Sequence, residues 1–212
     1  RETLVDRLVQ LLQESIFSGQ YPPNTMISEG GVAKEFGVGR VPAREALLRL
    51  EEMNLIRKSH LRRTIVKLSP EEFADMHELK TAIESFSVVK GSLRATEQEI
   101  DAIQEIVGEM EKAAARDDIV RHRLMNHSFH EALVSCSKNR KLIDAFTPLA
   151  RQLRWTSSLV ITSPERPLKP NREHEDIFAA FRQKKTGALR KLIERHSKAH
   201  MDRILALMKS GE

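Results

Sequence analysis

The chain has 212 residues, 40% hydrophobic and 31% charged, which suits one large globular domain or two modest ones. No apolar run approaches the ~18 residues of a membrane span and no charged-then-apolar leader opens the chain, so a membrane role is not expected. The net charge of +5 and pI near 9.4 are mild, but their distribution is uneven. The chain opens on Arg1 rather than Met, so its natural start is expected upstream.

Leu4, Leu8, Leu11, Leu12, Ile16 and Phe17 recur at helical spacing and predict a first helix that stops near Gly19. Tyr21-Pro22-Pro23-Asn24 reads as a turn. A short second helix follows, with Ser28 as N-cap and Val32, Ala33 and Phe36 facing inward. Gly37-Val38-Gly39 breaks it. A third helix over about 41–53 tolerates Pro42 in its first turn and buries Ala43, Ala46, Leu47 and Leu50. Helix, glycine-containing turn, helix is the helix-turn-helix arrangement. Leu55-Ile56-Arg57-Lys58 and Arg63-Thr64-Ile65-Val66-Lys67 then read as two strands around Ser59-His60-Leu61-Arg62, a wing.

From Ser69 onward strand signals disappear. Ser69-Pro70-Glu71-Glu72 opens the first of six helices expected at roughly 70–91, 96–115, 118–136, 139–162, 170–184 and 186–209. Gly91, Asp117-Asp118, Lys138-Asn139, the Pro164–Pro170 stretch and Thr186-Gly187 punctuate them. The single cysteine, Cys136, excludes an internal disulfide framework and fits a reducing, cytoplasmic setting. On an apolar helical stretch such a thiol packs more often than it reacts. The chain is therefore expected to be mainly α: a winged helix-turn-helix over 1–68 and an all-helical domain over 69–212.

Between Arg40 and Lys67 there are eight Lys/Arg against three Glu, an excess equal to that of the whole protein. Such a patch is the electrostatic footprint of a phosphate-binding surface. Arg40 and Arg44 lie four apart on the third helix, opposite its apolar stripe. An arginine at the N-terminal end of a recognition helix can fork onto guanine O6/N7 in the major groove. The alternative is a pair of surface arginines balanced by Glu45 or Glu51. With the wing included, the expected contacts to double-stranded DNA are Arg40, Val41, Arg44, Arg49, His60, Arg62 and Arg63.

The segment from Ser28-Glu29-Gly30-Gly31-Val32-Ala33 through Gly37-Val38-Gly39-Arg40-Val41-Pro42-Ala43-Arg44-Glu45-Ala46-Leu47 to Leu50-Glu51 resembles the GntR-family signature. Ile16–Pro23 resembles that family's approach to the motif, and the likeness spans roughly residues 4–68. The resemblance implies a transcription regulator in which Arg40 and Arg44 read bases or phosphates and the wing tip reaches the minor groove. Three positions depart from the pattern. Gly39 replaces a Ser that caps the helix. Gly30-Gly31 stand where longer, often charged residues are common, and Arg63 replaces a wing glycine.

The second half carries Asn126, His130, His174 and His196. Asn126 and His130 share one helix face, His174 lies on the stripe with Ile177, Phe178 and Phe181, and His196 continues Leu189, Leu192 and Ile193. Each histidine alone reads as a core imidazole bonded to a carbonyl or carboxylate. Together, Asn126-His127-Ser128-Phe129-His130, Glu173-His174 and His196 resemble the FCD effector domain of the FadR subfamily, an antiparallel helical bundle. The resemblance implies one divalent ion held by Asn126, His130, His174 and His196, with a small carboxylate effector bridging to it. Asn126 stands where the family has Asp, so the site loses one negative charge. Imidazole-rich sites suit Zn or Ni over Mg or Ca. Lys80 stands where Arg is common. Lys80, Arg151 or Arg154 could fix a carboxylate or form ordinary salt bridges, and Trp155 lines the cavity or packs.

The leading expectation is a homodimer on a pseudo-palindromic operator, controlled by its effector. A regulator that senses the metal itself, or that binds its effector without metal, is the nearer alternative. A metal-dependent hydrolase with Glu173, Glu175 or Asp176 as base is the remote one, because the first 68 residues would then have no purpose.

Overall fold

The computed structural model describes residues 3–17, 19–60, 62–160 and 172–210. The chain divides into two compact units. The first comprises the residues up to Ser69 together with Arg151–Leu159, and the second comprises Pro70–Ala150 and the chain after Leu159.

In the first unit the amphipathic spacing of helix α1 (Leu4–Phe17) buries Leu8, Val9, Leu12 and Ile16. Strand β1 (Met26–Ile27) leads into helix α2 (Glu29–Phe36). The Ser28 hydroxyl caps α2 by accepting from the Gly31 N–H at 3.1 Å. Gly37 ends it at φ +65°, a left-handed conformation that costs glycine little. Helix α3 (Arg40–Glu52) buries Ala43, Ala46, Leu47 and Leu50. Its N-cap, Gly39, provides no side-chain hydrogen bond.

Strands β2 (Ile56–Ser59) and β3 (Arg62–Ile65) form an antiparallel hairpin in which Ser59 faces Arg62. At the turn His60 takes φ +52°, the sign that tight hairpin turns require. Leu61 lies outside the described residues. Strand β1 adds to the far edge of β3, giving the order β1-β3-β2. Two residues are too few to show an alternating pattern, so β1 had no signature of its own in the sequence.

The second unit holds helices α4 (Pro70–Arg94), α5 (Glu97–Ala115), α6 (Ile119–Ser135), α8 (Arg172–Arg182) and α9 (Thr186–Ser210), with the first part of α7 (Arg140–Val160). Helix α4 packs on α9 and α6, α5 on α6, and α8 on α9. Their apolar stripes meet in one core that includes Val88, Ile103, Phe129, Leu133, Phe146 and Phe181. Thr96 and Glu99 close a reciprocal capping box at the start of α5, and Asp118 caps α6 through the Arg121 N–H. Among the described residues no helix is long and apolar enough to cross a membrane.

Two features depart from expectation. Helix α7 belongs to both units: its residues after Ala150 pack with the first, and Pro148, which removes one helical hydrogen bond, sits just before that division. The end expected for α7 at 161–162 and the Pro164–Pro170 linker fall outside the described residues. Finally, Gly91 does not terminate α4, which continues to Arg94.

Gly91 serves packing instead. A Cβ there would stand 2.7 Å from the Leu133 carbonyl oxygen and 3.1 Å from the Cys136 Cβ. Its missing side chain is what lets α4 lie against the C-terminal end of α6. Gly91→Ala should therefore destabilise the protein by roughly 1–3 kcal/mol despite the better helix propensity of alanine, because backbone must shift to admit the methyl. Chemical denaturation measures this; a variant as stable as the parent would contradict the close approach.

Candidate nucleic-acid interface and metal centre

The basic residues of the first unit fall into two classes. Arg40, Arg44 and Arg62 are exposed, and no ion pair engages them among the described residues. Val41, 68% exposed in the first turn of α3, puts an apolar surface beside Arg40 and Arg44. A methyl-bearing side chain next to guanidinium forks is the combination that reads a major groove. His60 is exposed at the wing turn.

The other two expected DNA contacts are engaged inside the protein. Arg63 pairs with Glu51 on α3 and, at 3.1 Å, with Glu29 on α2. Its side chain is only 13% exposed, and the bonds to Glu51 and Glu29 raise its pKa further. Arg63 thus ties the wing strand to α2 and α3. Arg49 pairs with Asp6 at 2.5 Å, tying α3 to α1.

The second unit brings His130 on α6, His174 on α8 and His196 on α9 together. One nitrogen from each ring lies within 4.8 Å of the others. His174 and His196 meet edge to face with centroids 4.5 Å apart, and His130 stacks on His196 at 5.3 Å. His130 and His174 are buried and His196 is partly so. Asn126 lies one turn before His130 on α6 and is half-buried.

Two carboxylates orient this cluster from outside. Nδ1 of His130 lies 2.5 Å from Glu84 Oε1, and Nδ1 of His196 lies 2.7 Å from Glu173 Oε2. An imidazole that donates from Nδ1 keeps its Nε2 lone pair for a metal, the arrangement in which carboxylates fix metal-binding histidines. His174 differs: both of its ring nitrogens are buried without a hydrogen-bond partner among the described residues. A buried, unbonded imidazole costs on the order of 1–3 kcal/mol unless something else satisfies it, and a cation would. The residues present therefore fit a divalent ion.

Electrostatics agree with that role. Burial, then neighbouring His130 and His196, hold the pKa of His174 far below its usual range, so the ring stays neutral with a lone pair available. Burial and His130 likewise lower His196 to about 4, against the opposing pull of Glu173 and Glu84. Glu84 is fully buried, which by itself favours the neutral acid. Lys80 and His130 outweigh burial and keep its pKa well below the carboxylate norm.

Sequence reasoning missed Glu84, although its signal was present: a carboxylate on the inner stripe of α4 beside Phe73, His77 and Val88. His77 and His200 were also missed. They approach each other at 5.8 Å between centroids, next to a Thr81–Ser197 hydroxyl contact that joins α4 to α9.

Lys80 pairs at 2.5 Å with Glu84, so its charge is already engaged. Arg151, Arg154 and Trp155, the other residues expected at the effector, group with the first unit. Trp155 is 1% exposed and packs on Phe17 at 5.7 Å, while the Arg154 guanidinium lies 5.9 Å over the same ring. Arg151 approaches Met53. The large apolar surface of the indole favours this burial.

Comparison with known proteins adds family relationships to this geometry. Residues 4–66 match the family described as "Bacterial regulatory proteins, gntR family", and residues 75–199 match the "FCD domain". The HTH-type transcriptional regulator YdhC of Bacillus subtilis is 27% identical over 206 residues, covering 95% of this chain and 91% of that protein. The HTH-type transcriptional repressor RspR of Escherichia coli is 24% identical, covering 90% of this chain and 84% of its own length. The solved structure of E. coli McbR/YncC shares the fold with a TM-score of 0.78, at 18% identity and 99% coverage of both chains.

Two predictions follow from these arrangements. Arg62→Ala should weaken binding to every duplex by a similar factor and reduce the salt slope by about 1, whereas Arg63→Ala should leave that slope unchanged and lower stability by roughly 1–3 kcal/mol. Salt-dependent binding and thermal melts distinguish them; a reduced slope in Arg63→Ala would restore its phosphate role.

The second concerns pH. His77 falls from an ordinary 6.5 to about 4 through burial and Lys80, His196 falls to about 4, His174 is held far below its usual range, and burial holds His200 well below its ordinary value. Between pH 6.5 and 4 the unfolded chain therefore binds more protons than the folded one, and stability falls as pH drops through that window. The urea midpoint of chelator-treated protein should decline progressively there. A midpoint insensitive to pH across the window would argue against neutral, buried rings.

Proposed function

Because the chain belongs to the gntR family of bacterial regulatory proteins and carries an FCD domain, we propose that this DNA-binding transcriptional regulator is controlled by a small carboxylate effector bound at a metal centre of His130, His174 and His196, with Asn126 as a fourth donor. DNA binding belongs to residues 1–68 and effector sensing to residues 69–212, in a homodimer that reads a pseudo-palindromic operator.

The observation that carries the reading is His174, whose two nitrogens are buried and unbonded beside two imidazoles already oriented by carboxylates. A divalent ion there supplies a Lewis-acidic point for an effector carboxylate oxygen. Glu84 and Glu173 hold His130 and His196 in the tautomer that keeps Nε2 free, and the core shields the His130 and His174 rings. Asn126 is neutral, so it leaves more positive charge for an anionic effector than an aspartate would. Lys80 is occupied by Glu84, which favours recognition of the effector through the ion rather than through this lysine. Control of DNA binding requires that the effector bind the competent and incompetent arrangements unequally.

Elemental analysis of untagged protein purified without chelator tests this, run beside His130→Ala and His174→Ala. About one Zn or Ni per chain is expected in the parent and none in either variant, with DNA affinity of the variants no longer responsive to carboxylates. Full metal content in His174→Ala would remove that residue from the site and leave the DNA-binding role intact.

A further inference from the structure

The charges around the three histidines do not balance a doubly charged ion. Among the described residues, the group whose donor atoms lie within 4.8 Å of one another consists of His130, His174 and His196, with no carboxylate in it. A histidine binds a metal as a neutral ring. Asn126, half-buried and one turn before His130 on the same face of α6, offers an amide oxygen, which is neutral too. Every donor at hand is therefore uncharged.

The two carboxylates behind the rings do not make good the deficit. Glu84 is matched by Lys80, whose ammonium lies 2.5 Å from Oε2, so the pair as a whole adds no net charge. Glu173 meets His196 through Nδ1, but its side chain is 47% exposed and water screens its charge. His130 and His174, by contrast, are only 7% and 3% exposed. A cation held between them keeps most of its charge in surroundings that solvate it poorly, and an unpaired buried charge is costly. The missing negative charge has to come from solution.

We propose that Asn126 makes this site take up a divalent ion and a carboxylate anion together, each raising the affinity for the other. An aspartate at position 126 would supply a built-in negative charge and hold the ion firmly with or without an anion. With the amide, firm retention of the ion waits for the anion. Such coupling is reciprocal: the factor by which the anion tightens the ion is also the factor by which the ion tightens the anion. The site then responds to the two species jointly, rather than keeping an ion permanently in place while an effector comes and goes. The inference rests on the metal centre proposed above and adds how its two ligands depend on each other.

Zn affinity of the full chain tests this, with circular dichroism to verify folding. Chelator-stripped protein is titrated with Zn against a chromophoric competitor in sodium acetate and in sodium chloride, at one pH and one ionic strength. In the parent, acetate should tighten Zn by roughly 5–150-fold, the range typical of coupled sites. Asn126→Asp should bind Zn more tightly than the parent in chloride and gain little from acetate. Asn126→Ala removes the amide without adding charge, so it should keep the acetate dependence. Equal Zn affinity of the parent in both salts, or an acetate gain in Asn126→Asp as large as the parent's, would overturn the coupling while leaving Zn at the histidines. No Zn bound in either salt, or Zn binding untouched by His174→Ala, would overturn the metal centre itself.

Discussion

The second unit is organised around the difficulty of burying ionisable rings and a carboxylate in a helical core. Glu84 is wholly inaccessible, and an isolated buried carboxylate would take up a proton rather than remain charged. It stays ionised because Lys80 lies one turn before it on α4 and His130 reaches it from α6. That one carboxylate consequently fixes the orientation of His130 and joins two helices through a polar bond. Glu173 does the same for His196 between α8 and α9. Of the three rings only His174 is left without a hydrogen-bond partner among the described residues, and one nitrogen of each ring lies within 4.8 Å of the others. Two of the three rings are thus bonded and the third is not, an arrangement that would suit a bound ligand.

In the first unit the same accounting separates residues that composition treats alike. The basic surplus between Arg40 and Lys67 looks like one surface in the sequence. Ion pairing divides it: Arg63 and Arg49 spend their charge on Glu51, Glu29 and Asp6, whereas Arg40, Arg44 and Arg62 face outward. The first group holds α1, α2, α3 and the wing in register, and the second is free to meet phosphates and base edges. Arg63 therefore serves as a clamp between the wing and the helices.

Much of the architecture was legible because it depends on local pattern. Apolar spacing located the helices of both halves, Ser28 and Gly37 marked the ends of α2, and the two basic strands of the wing stood between turn residues. The three histidines were also legible as a set, since each sat on an apolar helical face and their order matched a known family. The edge strand β1 was not legible, because two residues carry no periodicity. Gly91 misled, since a helix-ending glycine and a close-packing glycine are the same letter. The difference lies in the Leu133 carbonyl that occupies the space a Cβ would need.

What the sequence by itself determined was the helical pattern, the winged helix-turn-helix, the family, and which histidines belong together. These follow from periodicity, capping and motif spacing, all of which act over a few residues along the chain. Only the tertiary structure decided which charges are spent internally and which are presented. It seated Trp155 in the core of the first unit beside Phe17, turned Lys80 toward Glu84, and brought Glu84 and Glu173 behind the imidazoles. Those outcomes depend on which side chain reaches a partner before water does. The partners lie tens of residues apart, as His130 and Glu84 do, so no local signal along the chain records them.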